Sequence, residues 1–259
     1  MPERAKPSRW RRQIGTALLA GGFDPRKLWS LRLLPRLLRD SARFRAAGGR
    51  IDYLMPILSD FAAAAGDAKG HYFHQDLLVA RFIHDAAPDR HIDVGSRIDG
   101  FVAHVAAFRP IEVMDIRPLD AGRHRISFIQ RDITGPGDDL REITDSLSCL
   151  HALEHFGLGR YGDPIDPEGH LKGFKALHDM LKPGGRLYLS FPIGAGGGVY
   201  FNAHRVFAPT EVLAWSAGRF DLLRFDYIDD AGTLHEDADI ASAQDLIFGC
   251  GVYTLRKTA

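Results

Sequence analysis

Three clusters of the 259-residue chain carry side chains able to do chemistry. The first is Asp93-Val94-Gly95-Ser96-Arg97-Ile98-Asp99-Gly100, with Asp115 twenty residues beyond Gly95. Glycine adopts backbone conformations closed to other residues and lets a ligand approach the main chain. A helix starting at this turn points its free N–H groups at the same place. An ionised carboxylate only accepts hydrogen bonds, so Asp115, with Ile116 beside it, suits the paired hydroxyls of a ribose. Downstream, Gln130-Arg131-Asp132-Ile133 offers a polar group for an adenine amine and an apolar one for its face. These spacings point to a cofactor containing adenosine, with Asp93, Gly95, Ser96, Arg97, Asp115, Ile116, Asp132 and Ile133 as candidates to bind it. The dinucleotide pattern G-x-G-x-x-G is not met, because Arg97 stands at its second glycine, and there is no Gly-Lys-Ser/Thr loop for ATP.

The second cluster is His151-Ala152-Leu153-Glu154-His155. It matches H-x-x-E-H, a zinc-peptidase motif that needs both histidines on one continuous helix. Here it follows an apolar strand pattern, and Gly157 and Gly159 interrupt any helix within a turn, which argues against a peptidase. His71 and His74 show no companion ligands nearby in the sequence, so no metal site is expected. The third cluster is two loops. Asp163-Pro164-Ile165-Asp166-Pro167 places Asp163 and Asp166 where they could take sugar hydroxyls or a cation, or belong to a loop that only caps the following helix. Gly194 to Gly198 reads as a mobile lid or a merely floppy connection, followed at once by Asn202, His204 and Arg205. Histidine, with a pKa near roughly 6.5, suits removal of a proton from a hydroxyl. His155 and His204 are therefore candidate bases, with Glu154 as a partner.

The elements that must position these groups alternate. Strands are expected at His91 to Val94, Ile111 to Ile116, Ile126 to Gln130, Ser146 to Leu150 and Arg186 to Phe191, with helices at Tyr72–Ala87, Ile98–Phe108 and Glu168–Leu181. Leu77, Leu78, Phe82 and Ile83 are expected on one side of the first of these helices. That alternation predicts an α/β fold with a mainly parallel sheet covered on both faces. Asp221 to Ile228 and Leu246 to Leu255 predict an antiparallel pair closing it. Ligands of open α/β sheets bind beyond the carboxyl ends of the strands, where all three clusters lie.

Leu181-Lys182-Pro183-Gly184-Gly185 before a strand, together with His151 and Glu154-His155 after one, resembles the class I S-adenosylmethionine (SAM)-dependent methyltransferases over about residues 90 to 255. Asp93-Val94-Gly95-Ser96-Arg97, the Asp163–Pro167 loop and Phe201-Asn202-Ala203-His204-Arg205 resemble most an uncharacterised bacterial and nematode branch, whose members often sit near polysaccharide genes. The resemblance implies a Rossmann-like seven-stranded sheet, SAM as cofactor and methyl transfer. It also implies His151 near the methionine end of the cofactor and Glu154 and His155 facing the acceptor. The usual glycines are replaced by Arg97 and Asp99. Arg97 is expected to meet the SAM carboxylate by a charge-assisted bond, with Asp99 capping the helix. The acceptor expected is a sugar or glycan hydroxyl.

Composition bounds the rest. Apolar residues make up 45% and charged residues 25%, a globular profile. Thirty-three basic residues balance thirty-three acidic ones, but residues 1–50 carry a net +10 and the remainder −10. The acidic body argues against nucleic acid as a partner. The basic extension, residues 1–65 and helical in pattern, precedes a domain expected over 66–259. Arg32, Arg36, Arg39 and Arg43 fall on one face of its helix, beside Leu31, Leu34 and Leu38, and Pro35 is expected to kink or divide that helix. Such an arm could lie on an anionic membrane surface. Two cysteines without a C-x-x-C pattern exclude a disulfide framework. No apolar run is long enough for a membrane span, so the expected location is cytoplasmic, with peripheral contact at the inner membrane face. The rival reading is a non-catalytic Rossmann-like module that tethers a complex through its arm.

Overall fold

A computed structural model describes residues 30–66, 68–119, 124–135 and 138–258. The chain divides into two compact units, Met1–Asp67 and Ala68–Ala259. Residues 1–29, with seven of the thirteen basic residues of the extension, lie outside the described residues. In the first unit a 3-10 turn, Leu31–Leu33, runs into helix α1, Leu34–Ala46. Pro35 sits in the first turn of α1. There its missing N–H costs nothing, so it divides the two segments and kinks neither. Asp40 pairs with Arg36 at 3.8 Å and Arg43 at 3.9 Å on the exposed face.

The second unit is built on one sheet. Helix α2, His71–Ala86, precedes β1, His91–Val94. A π-turn at Ile98–Val102 leads into the short α3, Ala103–Ala106. Then come β2, Ile111–Asp115; β3, Ile126–Gln130; β4, Thr144–Leu150; helix α4, Gly169–Met180; and β5, Leu181–Ile193. A hairpin of β6, Gly198–Tyr200, and β7, His204–Val206, precedes α5, Glu211–Ser216. The chain closes with β8, Phe220–Ile228; β9, Leu234–His235; and β10, Gly249–Lys257. The sheet order is β3-β2-β1-β4-β5-β10-β8-β9. Strands β3, β2, β1, β4 and β5 pair in parallel, while β10 runs antiparallel to both β5 and β8. The expected seven strands are all present, and the two-residue β9 adds an edge.

Side chains alternate across this sheet, as its pleat requires. Leu147 and Cys149 of β4, Leu187, Leu189 and Phe191 of β5 and Tyr253 of β10 face a core completed by Phe174 and Leu177 of α4. The other face meets Leu78, Val79 and Ile83 of α2 and Phe101, Val102 and Val105. Leu77, expected with this set, is exposed instead, and Val79 takes the buried place. Two further expectations shift. Leu181 already pairs with Thr144, so β5 begins before the Pro-Gly-Gly turn, and pairing resumes at Ser146 and Arg186. The helix expected at Ile98–Phe108 is the π-turn followed by one α-helical turn, and Asp99 pairs with Arg97 rather than capping it.

One seam of the second face is polar. Ser146 and Ser148 of β4 stand two apart, so both point beneath α2, opposite His91 and Asp93 of β1. Ser148 Oγ donates to Asp93 Oδ1 at 2.5 Å, so its lone pairs accept from His91 Nε2–H at 3.1 Å. Ser146 Oγ then donates to His91 Nδ1 at 2.8 Å. Burial drives the His91 pKa down to about 3 and the Asp93 pKa up to about 6. An unfolded imidazole titrates near roughly 6.5. The contribution of His91 to stability is therefore intact above that pH and is lost as pH falls toward 3. Urea unfolding of the wild type and His91→Gln should show a stability gap at pH 7 that narrows by about 2 kcal/mol at pH 5. An equal gap at both pH values would show that the ring is not held neutral.

Candidate functional site

The turn after β1 is set from below. Asp93 is fully buried, and its carboxylate accepts from Ser96 N at 3.0 Å and Ser96 Oγ at 2.6 Å as well as from Ser148. Ser96 Oγ in turn accepts from Leu150 N of β4 at 3.0 Å. These bonds fold the chain back on itself, which places Gly95 at φ +74°. A Cβ there would sit 3.0 Å from the Ala152 Cβ, so glycine also keeps the crevice between β1 and β4 open.

Two chambers meet at that crevice. The first, about 780 Å³, lies between the ends of β1 and β2 and the loop after β4. Gly95, Asp115, Ile116, Asp132, Ile133 and His151 all line it. Asp115 accepts from Arg117 N at 2.8 Å and from the Arg117 guanidinium, which also lies 4.3 Å over the Tyr161 ring. Asp132 Oδ1 is engaged by Thr134 N at 2.8 Å and Thr134 Oγ1 at 2.7 Å, so it shapes the wall while its other oxygen carries no such bond. The second chamber, about 1400 Å³, shares Gly95, Asp115, His151 and His155 with the first. It adds Ser96, Arg97, Glu154 and His204 to its walls. Arg97 forms a two-pronged pair with Asp99 and sits 5.0 Å from the Tyr72 ring centre.

Glu154 is the hub of the second chamber. It is 1% exposed, and one oxygen, Oε2, has no hydrogen-bond partner among the described residues. Its Oε1 lies 2.9 Å from His151 Nδ1 and 3.7 Å from His155 Nε2. Burial works against a charge on His151, but Cys250 and Glu154 outweigh it and hold the pKa of His151 well above its ordinary value. His155 behaves oppositely. Its Nδ1–H donates to the Ala203 carbonyl at 2.7 Å, which leaves Nε2 with a lone pair on the Glu154 side. Burial lowers its pKa, with Glu154 opposing that trend and Arg160 reinforcing it. His204, half-buried against Tyr200 and Phe248, also has its pKa lowered by burial.

The loop that carries Glu154 and His155 is a strand end and one 3-10 turn, Leu153–His155, not a peptidase helix. Gly157, at φ +77°, and Gly169, the first residue of α4, press together so closely that a Cβ on either would strike main chain. That contact seats the loop after His155 against the start of α4.

Several residues expected to meet a substrate are committed elsewhere. Arg205 is 4% exposed and donates to the carbonyls of Glu154, Phe156, Asp166 and Pro167, so it braces the loop instead of reaching a ligand. Asp163 accepts from the N–H groups of Gly157, Gly159 and Tyr161. Asp166 accepts from Glu168 N and Lys172. Both acids line the first chamber with their oxygens occupied by the chain itself. Asn202 is exposed and lines neither chamber. The glycine segment expected to be a lid is pinned by Gly194 N to Phe207 O at 2.9 Å and Ala195 N to Leu246 O at 2.8 Å.

Comparison with known proteins agrees with this architecture. A sequence profile described as "Caenorhabditis protein of unknown function, DUF268" matches residues 110–238. No curated protein matches the chain. Among solved structures, the chain is similar to the 1,6-didemethyltoxoflavin-N1-methyltransferase of Burkholderia thailandensis, with TM-score 0.51 and 17% identity over 71% of this chain and 79% of that one. It is similar to the [4+2]-cyclase SpnF, with TM-score 0.52 and 16% identity over 90% and 95%. It is also similar to the N-methyltransferase NodS of Bradyrhizobium japonicum, with TM-score 0.50 and 15% identity over 72% and 95%. These likenesses establish a Rossmann-like methyltransferase fold. One neighbour is a cyclase, so the fold alone does not fix the reaction.

Sequence reading missed Arg117, Tyr161, Tyr72 and Phe248, which line the chambers from four separate segments. Only Arg117 left a signal, a cation two residues after the ribose candidate. The most specific feature of the site is the state of His155. Long-range nitrogen-proton NMR at pH 7 should find it neutral, protonated at Nδ1, and titrating below the ordinary histidine value. An Nε2–H tautomer would contradict the assignment of Nε2 as the free acceptor.

Proposed function

We propose that the protein is a SAM-dependent methyltransferase that acts on a hydroxyl group, with a polar, sugar-like acceptor. The observation that carries this reading is the first chamber. It sets an accepting carboxylate, Asp115, beside a turn held open at Gly95, with the apolar Ile133 on the far wall. That donor and acceptor set suits adenosine: Asp115 for the ribose hydroxyls, Ile133 for the base, and Asp132 with Ile116 at its edge. The Arg117 guanidinium now on Asp115 would give way to the ribose. Arg97 at the mouth of the second chamber suits the amino-acid end of the cofactor, with His151 nearby.

When bound, SAM supplies a methyl group already attached to a good leaving group. The chain then has to align the acceptor, exclude water and take one proton. His155 Nε2 is the acceptor for that proton, because Nδ1 is already spent on Ala203. The Glu154 carboxylate, 3.7 Å away, stabilises the imidazolium that results. His204 lines the same chamber and orients the acceptor. A chamber walled by Tyr72, Arg97, Arg160 and four histidines favours an acceptor rich in hydroxyls over an apolar one.

Calorimetric titration with S-adenosylhomocysteine tests the reading before any acceptor is known. Charge-assisted hydrogen bonds are worth about 1.5–3 kcal/mol, or roughly 10- to 100-fold in affinity. Asp115→Ala should weaken binding by about that factor while the melting curve stays cooperative. Folded wild-type protein that takes up no S-adenosylhomocysteine would sink the proposal.

A further inference from the structure

Three residues far apart in the chain meet behind the second chamber. His71 opens α2, His151 follows directly on β4 and Cys250 lies in β10. Their ligating atoms all lie within 4.8 Å of one another. We propose that His71, His151 and Cys250 bind a zinc ion.

The strongest support is the His151 ring. Its side chain is 6% exposed, and its Nε2 is buried with no hydrogen-bond partner among the described residues. An orphaned buried polar atom carries a penalty of about 1–3 kcal/mol. The other nitrogen, Nδ1, is engaged by Glu154 Oε1 at 2.9 Å. A carboxylate behind a histidine fixes its tautomer and sharpens its lone pair, the arrangement found behind metal-bound imidazoles. His151 also sits at φ +49°, a left-handed conformation that is costly for a residue with a side chain. That conformation holds its ring parallel to His71, 5.4 Å away.

Cys250 is completely buried. Its sulfur lies 3.8 Å from Gln75 Oε1 and 3.6 Å from Gly251 O, both loose contacts. No substrate carbon can reach a thiol so enclosed, which argues against a nucleophile and for a ligand.

Two imidazoles and one thiolate suit zinc, and three protein ligands with an open position are the pattern of reactive zinc sites. Zinc bonds of roughly 2.0–2.3 Å would bring the donor atoms to about 3.3–3.6 Å apart. Binding therefore draws the cluster together by about an ångström. His71 is the member free to move, at the first turn of its helix and only half-buried. His71 and His151 both border the second chamber, so the remaining position faces it.

The test uses the full chain, stripped with a chelator and reloaded with Zn²⁺ or Co²⁺. Mass-spectrometric metal analysis after desalting should find one zinc per chain, lost in Cys250→Ser and His71→Ala. Glu154→Gln should weaken zinc binding about 10- to 100-fold, the cost of losing the group behind the ligand. The Co²⁺ protein should show a thiolate-to-metal charge-transfer band in the near ultraviolet. That band decides the matter in wild-type protein even where a variant misfolds. No retained zinc, no such band, or zinc binding unchanged in His71→Ala and Cys250→Ser would each overturn the proposal. S-adenosylhomocysteine binding, measured on the same samples, reports separately on the methyltransferase reading.

Discussion

The structure depends on one buried chain of hydrogen bonds, running from Ser146 through His91, Ser148 and Asp93 to Ser96 and Leu150 N. It crosses the centre of the sheet, where β1 and β4 lie side by side. Each link has one donor and one acceptor role, and changing any of them strands a polar group where water cannot reach. Such a loss costs about 1–3 kcal/mol per group. The chain therefore fixes more than stability. It locks the register of β1 against β4 and dictates the shape of the Gly95 turn. Both walls of the crevice follow from it.

The reactive groups inherit their positions from that lock. His151 is one residue past β4, and Glu154 and His155 follow within a single turn. A fixed strand end therefore fixes all three. Glu154 then acts on two rings with opposite outcomes. His151 is held toward the charged form by the carboxylate and Cys250, while His155 is held toward the neutral form by burial. Arg205 secures the arrangement from outside by donating to the carbonyls of Glu154, Phe156, Asp166 and Pro167.

Much of this was legible in the sequence. Alternating apolar strands and helical patterns gave the sheet, because burial on both faces leaves a continuous apolar signature. Gly95 and Asp115 were readable because their spacing is set by one local strand–helix–strand unit. The serines of β4 were visible, but their purpose was not, since it depends on His91 lying opposite. Arg205 and Asp163 were misread for a related reason. A charged side chain in a polar loop looks the same whether it meets a ligand or its own main chain, and only the fold decides. Cys250 and His71 are 179 residues apart, so no spacing rule could have joined them to His151. Leu77 failed more simply: a neighbouring valine had the better angle toward the sheet.

The central claim is that the crevice above the buried chain takes adenosine, with Asp115 on its ribose. A crystal structure of the protein with S-adenosylhomocysteine tests this most directly. The account predicts the ribose hydroxyls on the Asp115 carboxylate, Arg117 moved from its present pairing, and the base against Ile133. A ligand held elsewhere, with the Asp115–Arg117 pair intact, would contradict it.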